Sequence, residues 1–253
     1  MLCHKKLINI FYTNFLNVVM DPLQKLYDAY TSNLLPKNVF DLINNRFSLV
    51  LEGIARIEKA SGIRFPIAYV EPSLVLSSET NSFDYGILFA RTIPVFSNNS
   101  VEVIIQISAP LVAYGLKGTI HAILAHEFLH YLELISRISK MNIISDEVSG
   151  NLFENVYSDN TKLFEPQCVF DDKTLLQHIT KKFPSGFRDY KLEDKVLKFW
   201  IKKNLPTLKS TLDTNNVKLN AESLAQMKIN SVLLKNLEQI QIKNSKIRNK
   251  KIY

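Results

Sequence analysis

Residues 119–139, TIHAILAHEFLHYLELISRIS, restrict the fold more than any other part of the chain. No proline or glycine interrupts them, and Ile120, Ile123, Leu124, Phe128, Leu129, Leu132, Leu134 and Ile135 fall on almost every side of a helix. A helix that is apolar nearly all round is a buried helix. The chain must therefore wrap its core around this one. In the middle of the apolar surface stand His126, Glu127 and His130. Residues four apart differ by about 40° around a helix axis, so the two imidazoles share a side and the carboxylate is adjacent.

Buried polar side chains cost free energy unless something satisfies them. A metal ion satisfies two histidines at once, and a neighbouring carboxylate can then reach the ion's water. H-E-x-x-H arises by chance in roughly 0.5% of chains of this composition, so the match is informative. His121 lies about 140° from His126 around the same helix and is expected to be structural or at the surface. Structural zinc takes four protein ligands, whereas catalytic zinc keeps a place for water. Only His4 and His178 remain among the histidines, so the third ligand is expected to be a carboxylate.

The surrounding elements can be read from periodicity and punctuation. Residues 21–60 are expected to be helical, with Asp21-Pro22 as a start signal and Gly62 as a terminator. Val39, Leu42, Ile43, Phe47, Leu51, Ile54 and Ile57 supply their apolar face. From Pro66 to Ser108 the pattern shifts to three or four short β-branched strands, of which VEVIIQIS (101–108) is the clearest. Asn98-Asn99-Ser100 reads as a tight turn between two antiparallel strands. A short helix over 110–115 should break at Gly115 or Gly118 before the long helix begins. Further helices are expected over 144–157, over KTLLQHITKKF, over LEDKVLKFWIKKNL up to Pro206, and after Asn220 as an N-cap.

Composition excludes several classes. Cys3 and Cys168 cannot build a disulfide framework or a Cys-rich zinc ribbon, and such sparse cysteine suits a reducing cytoplasm. No run of 18 apolar residues exists, so no transmembrane helix or membrane partner is expected. LINIFYTNFLNVV (7–19) is interrupted by asparagines and lacks a cleavage site; it reads as a plain N-terminal helix or an extension upstream of a start at Met20. The net charge of +7 is unevenly spread: residues 1–172 carry 13 Lys/Arg and 18 Asp/Glu, residues 173–253 carry 18 and 6. That asymmetry allows a nucleic-acid partner, but a solvated lysine-rich surface is the favoured reading, since no nucleic-acid recognition motif accompanies it.

The run I-x-I-S-A-P-L followed by I-x-x-I-L-A-H-E-F-L-H-Y resembles the strand-then-helix core of the zincin metallopeptidases, over roughly residues 85–157. Glu133 and Ser136 stand where the metzincin branch has Gly and His, which rules that branch out. The gluzincin branch takes its third ligand from a glutamate on a following helix, in a pattern like N-E-x-x-S-D. Asp146-Glu147-Val148-Ser149-Gly150-Asn151 is similar to it and implies Glu147 as the third ligand. Glu154 and then Glu133 are the alternatives. The spacing of Glu154 is closer to that of the repressor-cleaving phage-immunity peptidases, whose E-x-x-A-N-x-F pattern EVSGNLF resembles.

The resemblance implies an α+β, zincin-like fold: a small, mostly antiparallel or mixed sheet packed on the HExxH helix, with helical segments before and after. The expected organisation is an N-terminal extension (1–20), a metallopeptidase domain (21–170) and a helical basic region (171–253) packed on or appended to it. The implied activity is hydrolysis of a peptide or protein substrate by a zinc-activated water, with His126, His130 and Glu147 on Zn²⁺ and Glu127 as general base. An extended substrate would pair with an edge strand, 85–96 or 101–108. Tyr131, Tyr157 and His178 are candidates for stabilising the oxyanion. The alternatives are a nucleic-acid-associated repair or regulatory protease, and a non-catalytic metal-binding module.

Overall fold

The computed structural model describes residues 21–77, 86–97, 100–139, 164–184, 186–210 and 227–251. Three helices come first: α1 (Gln24–Thr31), α2 (Lys37–Arg46) and α3 (Ser48–Ser61). The Asp21 carboxylate accepts from the Leu23 N–H at 2.9 Å, which satisfies a donor the first turn leaves open. Gly62 ends α3 at φ 67°, a left-handed conformation that glycine adopts without a Cβ penalty. Val39, Ile43, Phe47 and Ile57 enter the core as their spacing requires. Leu42 is exposed and Leu51 and Ile54 are only partly buried. The helical stretch breaks at Phe47, so one apolar stripe does not run straight through both helices.

Five strands follow: β1 (Ala68–Glu71), β2 (Leu74–Ser77), β3 (Gly86–Leu88), β4 (Ala90–Ser97) and β5 (Ser100–Ser108). They do not form the single sheet expected. One sheet has the order β1-β5-β4, with β1 parallel and β4 antiparallel to β5. A second has the order β3-β2-β6, completed by β6 (Thr207–Ser210), which runs parallel to β2. Only Phe89 separates β3 from β4, so one extended stretch leaves the second sheet and enters the first. The β6 strand follows Pro206 and is too short for a periodic signal; its partner, more than a hundred residues upstream, makes it a strand. The β4–β5 pairing extends to Ser97 opposite Ser100, as a tight connection requires.

In the first sheet, Thr92 lies opposite Ile105 and so shares its face, with Ile107 and Val103 two residues to either side. That face packs on the long helix. The other face carries a satisfied polar network. Gln106 donates to the Tyr69 hydroxyl (2.6 Å) and to Glu71 (2.8 Å), and accepts from Arg91. Lys25 stands 4.2 Å over the Tyr69 ring.

Helix α4 (Ala109–Tyr114) ends at Gly115, where Arg46 bonds the Val112 and Gly115 carbonyls. Helix α5 (Lys117–Ser139) carries HEFLH. Gly115 is therefore the break, and Gly118 lies inside the helix. Ile120, Ile123, Leu129, Leu132 and Ile135, which point in widely different directions around the axis, are at most 3% exposed, so the helix is enclosed on most sides. Each such side chain contributes roughly 1.5–3 kcal/mol by leaving water. Helix α3 crosses α5 at Gly53, where a Cβ would stand 2.8 Å from His121 Cδ2 and Leu124 Cδ1; no larger residue lets the two backbones approach so closely.

The C-terminal region supplies α6 (Pro166–Val169), α7 (Lys173–Lys182), α8 (Tyr190–Phe199), a 3₁₀ turn (Ile201–Lys203) and α9 (Ser231–Lys251). Asp172 and Asp189 cap α7 and α8 through the Leu175 and Leu192 N–H groups. Helix α7 packs along α5, and Leu175, Ile179, Val196 and Trp200 join the same core. Lys191, Lys195 and Lys198 of α8 point to solvent. The helix start expected at Asn220 falls outside the described residues; residues 227–230 are not helical, and α9 begins at Ser231, where Asn230 caps through the Val232 N–H at 2.8 Å. The helix expected over 144–157 falls outside the described residues. No helix among those described is long and apolar enough to cross a membrane. The architecture is α+β, with two small mixed sheets.

Candidate metal centre and cleft

Helix α5 places His126 and His130 as its geometry demands. Their Nε2 atoms lie 3.1 Å apart with the rings nearly perpendicular, at 87°. Two nitrogens bound at about 2.0–2.1 Å to one tetrahedral zinc stand about 3.3 Å apart, so the pair is already set at a ligating separation. Both rings are held neutral, the form that ligates. Burial drives the His126 pKa down to about 4, and burial together with the neighbouring His126 drives His130 well below the usual value. The donor set and spacing fit zinc.

Glu127 is 5% exposed and lies under the edge of the first sheet. The Thr92 hydroxyl on β4 is 3.0 Å from Glu127 Oε2 and 2.9 Å from the Glu127 main-chain oxygen. Burial pushes the Glu127 carboxyl up to about 7, against the pull of the Thr92 hydrogen bond.

A cleft of about 180 Å³ opens over these three residues. Its walls are Ile87 to Ala90 where β3 passes into β4, Ile123 of α5, and Phe183, Gly186 and Phe187 after α7. The Phe183 ring lies flat on the His126 imidazole, 3.9 Å between centroids and 12° between planes. Phe187 stands edge-on to Phe89 at 5.2 Å and tilted to Phe183 at 5.4 Å. The cleft therefore has a polar floor and aromatic walls, the usual make-up of a small ligand or side-chain site. Sequence reasoning had not included Thr92, Phe89, Phe183 or Phe187. None belongs to a motif, and the four are brought together only by the strand edge and the α7 packing.

Among the described residues no third metal-ligating side chain joins His126 and His130. Glu147 and Glu154 lie outside the described residues, as does Tyr157. Glu133 is described and pairs with Arg137 one turn along α5, at 3.2 Å. Among the described residues no three His, Cys, Asp or Glu side chains converge, so Glu133 does not complete the histidine pair there. His121 is structural: it is 2% exposed and its Nε2 meets the Leu49 carbonyl at 3.2 Å. His178 lies against Gly118 in the first turn of α5, two turns from His126. Tyr131 stacks on Phe128 and does not line the cleft; burial raises its pKa to about 12. Neither is brought to the cleft to meet a developing charge.

Compared with protein-family models, with curated proteins and with solved structures, the chain matches none at a significant level, so the chemistry of this site has to be read from its own geometry.

Proposed function

We propose that the chain is a zinc-dependent metallopeptidase. The observation that carries this reading is the pre-set histidine pair, 3.1 Å between Nε2 atoms, beside a buried glutamate in an apolar cleft at a sheet edge. A structural metal has no need of an open cleft or of a proton acceptor beside it.

His126 and His130 would hold the ion, with Glu147 as the third ligand and Glu154 as the alternative. Bound zinc supplies Lewis acidity, acidifying water toward a pKa of about 7 and polarising a peptide carbonyl. Glu127 accepts the proton of the attacking water and delivers it to the leaving amine. The aromatic walls exclude water and receive an apolar side chain.

The edge on offer to an extended peptide is β4, since β5 is the central strand. The Ser108 N–H donates to the Phe89 carbonyl, so odd-numbered residues of β4 bond β5 and the even-numbered ones face outward. Ala90 and Thr92 therefore present main-chain groups for strand pairing beside Glu127. Pro94 has no N–H to present and sits on the outward side, where it breaks no ladder bond. A pairing substrate is thus confined to the end of β4 nearest the cleft. The sparse cysteine suggests work in a reducing compartment such as the cytoplasm.

Metal content by plasma mass spectrometry, paired with peptide cleavage, tests the reading. Wild type should hold about one zinc, His126→Ala should hold none, and Glu147→Ala should lose it if Glu147 is the ligand. Glu127→Gln should keep the metal and lose cleavage by at least about 100-fold. A folded wild type that refuses added zinc sinks the proposal. Equal cleavage by wild type and Glu127→Gln at equal zinc leaves a metal-binding module without peptidase chemistry.

A further inference from the structure

We infer that Thr92 is the positioning residue for Glu127, tying the general base to the strand on which a substrate pairs. The inference rests on the peptidase reading for its catalytic part, but its structural part is independent of it. Thr92 is 2% exposed and its hydroxyl meets two acceptors, Glu127 Oε2 at 3.0 Å and the Glu127 main-chain oxygen at 2.9 Å. A hydroxyl has one proton to give and lone pairs to receive another. With Glu127 ionised, Thr92 donates to Oε2 in a charge-assisted bond. A proton taken on the other carboxyl oxygen leaves Oε2 an acceptor, so the hydroxyl keeps the same two partners. One side chain thus holds Oε2 in place whichever way the proton moves.

The same contact settles which oxygen works. Oε2 is held against β4, while Oε1 has no hydrogen-bond partner among the described residues and is free to take a proton from the cleft. Thr92 also occupies an even-numbered position of β4, so its main-chain N–H and C=O lie on the outward edge. Strand pairing at Thr92 and the aim of Glu127 are therefore set by one residue. A peptide laid along this edge meets the base in a fixed register, because the strand that holds the peptide also holds the carboxylate.

Two substitutions separate these roles, since neither touches the main-chain groups. Thr92→Val removes the hydroxyl with little change of shape. It should lower kcat about 10- to 100-fold with KM within about twofold and zinc content unchanged. Thr92→Ser should recover most of the loss. A valine variant with wild-type kcat overturns the inference, and so does a loss that serine fails to restore. Thermal unfolding supplies a readout that needs no substrate. The drop in Tm on Thr92→Val should shrink in a Glu127→Ala background, because the hydroxyl has lost its side-chain partner. An equal drop in both backgrounds shows that the two residues are not coupled and overturns the inference. A zinc-loaded wild type that cleaves no peptide, alongside clear coupling in unfolding, would instead defeat the peptidase reading and confine Thr92 to holding Glu127.

Discussion

At the scale of single residues, the site is a set of polar groups kept where they are poorly solvated. Glu127 favours its protonated form and the two histidines their neutral form, for the same reason: burial penalises charge. In the metal-free protein this links stability to pH. The folded-state pKa of Glu127 is raised to about 7, above an unfolded value near ~4.3. Its contribution is therefore intact below ~4.3 and is lost as pH rises through about 7. The full loss is on the order of 4 kcal/mol. The histidines tilt stability the other way, so the comparison must isolate Glu127. Calorimetry of metal-free wild type and Glu127→Gln from pH 4 to 8 should show the variant's relative Tm climbing as pH rises. A difference that stays flat would mean that folding does not shift the Glu127 pKa. His126, Glu127 and His130 were legible because a motif fixes them locally. Thr92 was not, because its role depends on β4 lying over α5, thirty-five positions away in sequence.

At the scale of elements, each wall of the cleft has its own support. Helix α7 brings Phe183 onto His126, and Asp172 anchors its start. That carboxylate caps the helix through the Leu175 N–H and grips Arg56 of α3, at 2.6 and 2.8 Å. The Arg56 guanidinium is the main cause that pulls the Asp172 pKa down to about 2. A depressed carboxyl stabilises fully above its unfolded value near ~3.9 and stops doing so as pH falls through about 2. Asp172→Asn keeps a capping acceptor but loses the charge. It should cost about 1 kcal/mol at neutral pH, roughly 2–4 °C in Tm, and the gap should close between pH 5 and pH 2. A gap that persists at pH 2 would assign the loss to capping geometry rather than to charge. The helix starts at Asp172, Asp189 and Asn230 follow simple capping chemistry.

At the scale of the molecule, the basic C-terminal region is structurally part of the site's support. Leu175, Val196 and Trp200 are 0% exposed within the core that surrounds α5, and β6 completes the sheet containing β2 and β3. Cutting the chain after residue 170 would uncover that core and strip the Phe183 wall from the cleft. The shortened protein should lose cooperative unfolding and the ability to bind one zinc tightly, as followed by circular dichroism and metal titration. A truncated chain that melts cooperatively would show that residues 21–170 fold by themselves.

The amino-acid sequence alone determined the buried helix, the side on which His126 and His130 stand, the strong β5 strand and the termination of α3 at Gly62. Each follows from periodicity or punctuation within about twenty residues, where backbone geometry dictates the outcome. Tertiary structure alone decided that two sheets form rather than one, that β4 is an edge strand among the described residues, and that Thr92, Phe89, Phe183 and Phe187 meet at the helix. Those contacts join segments far apart in the chain. Their stability comes from burial and hydrogen bonds that exist only once the segments have met, and no local pattern encodes them.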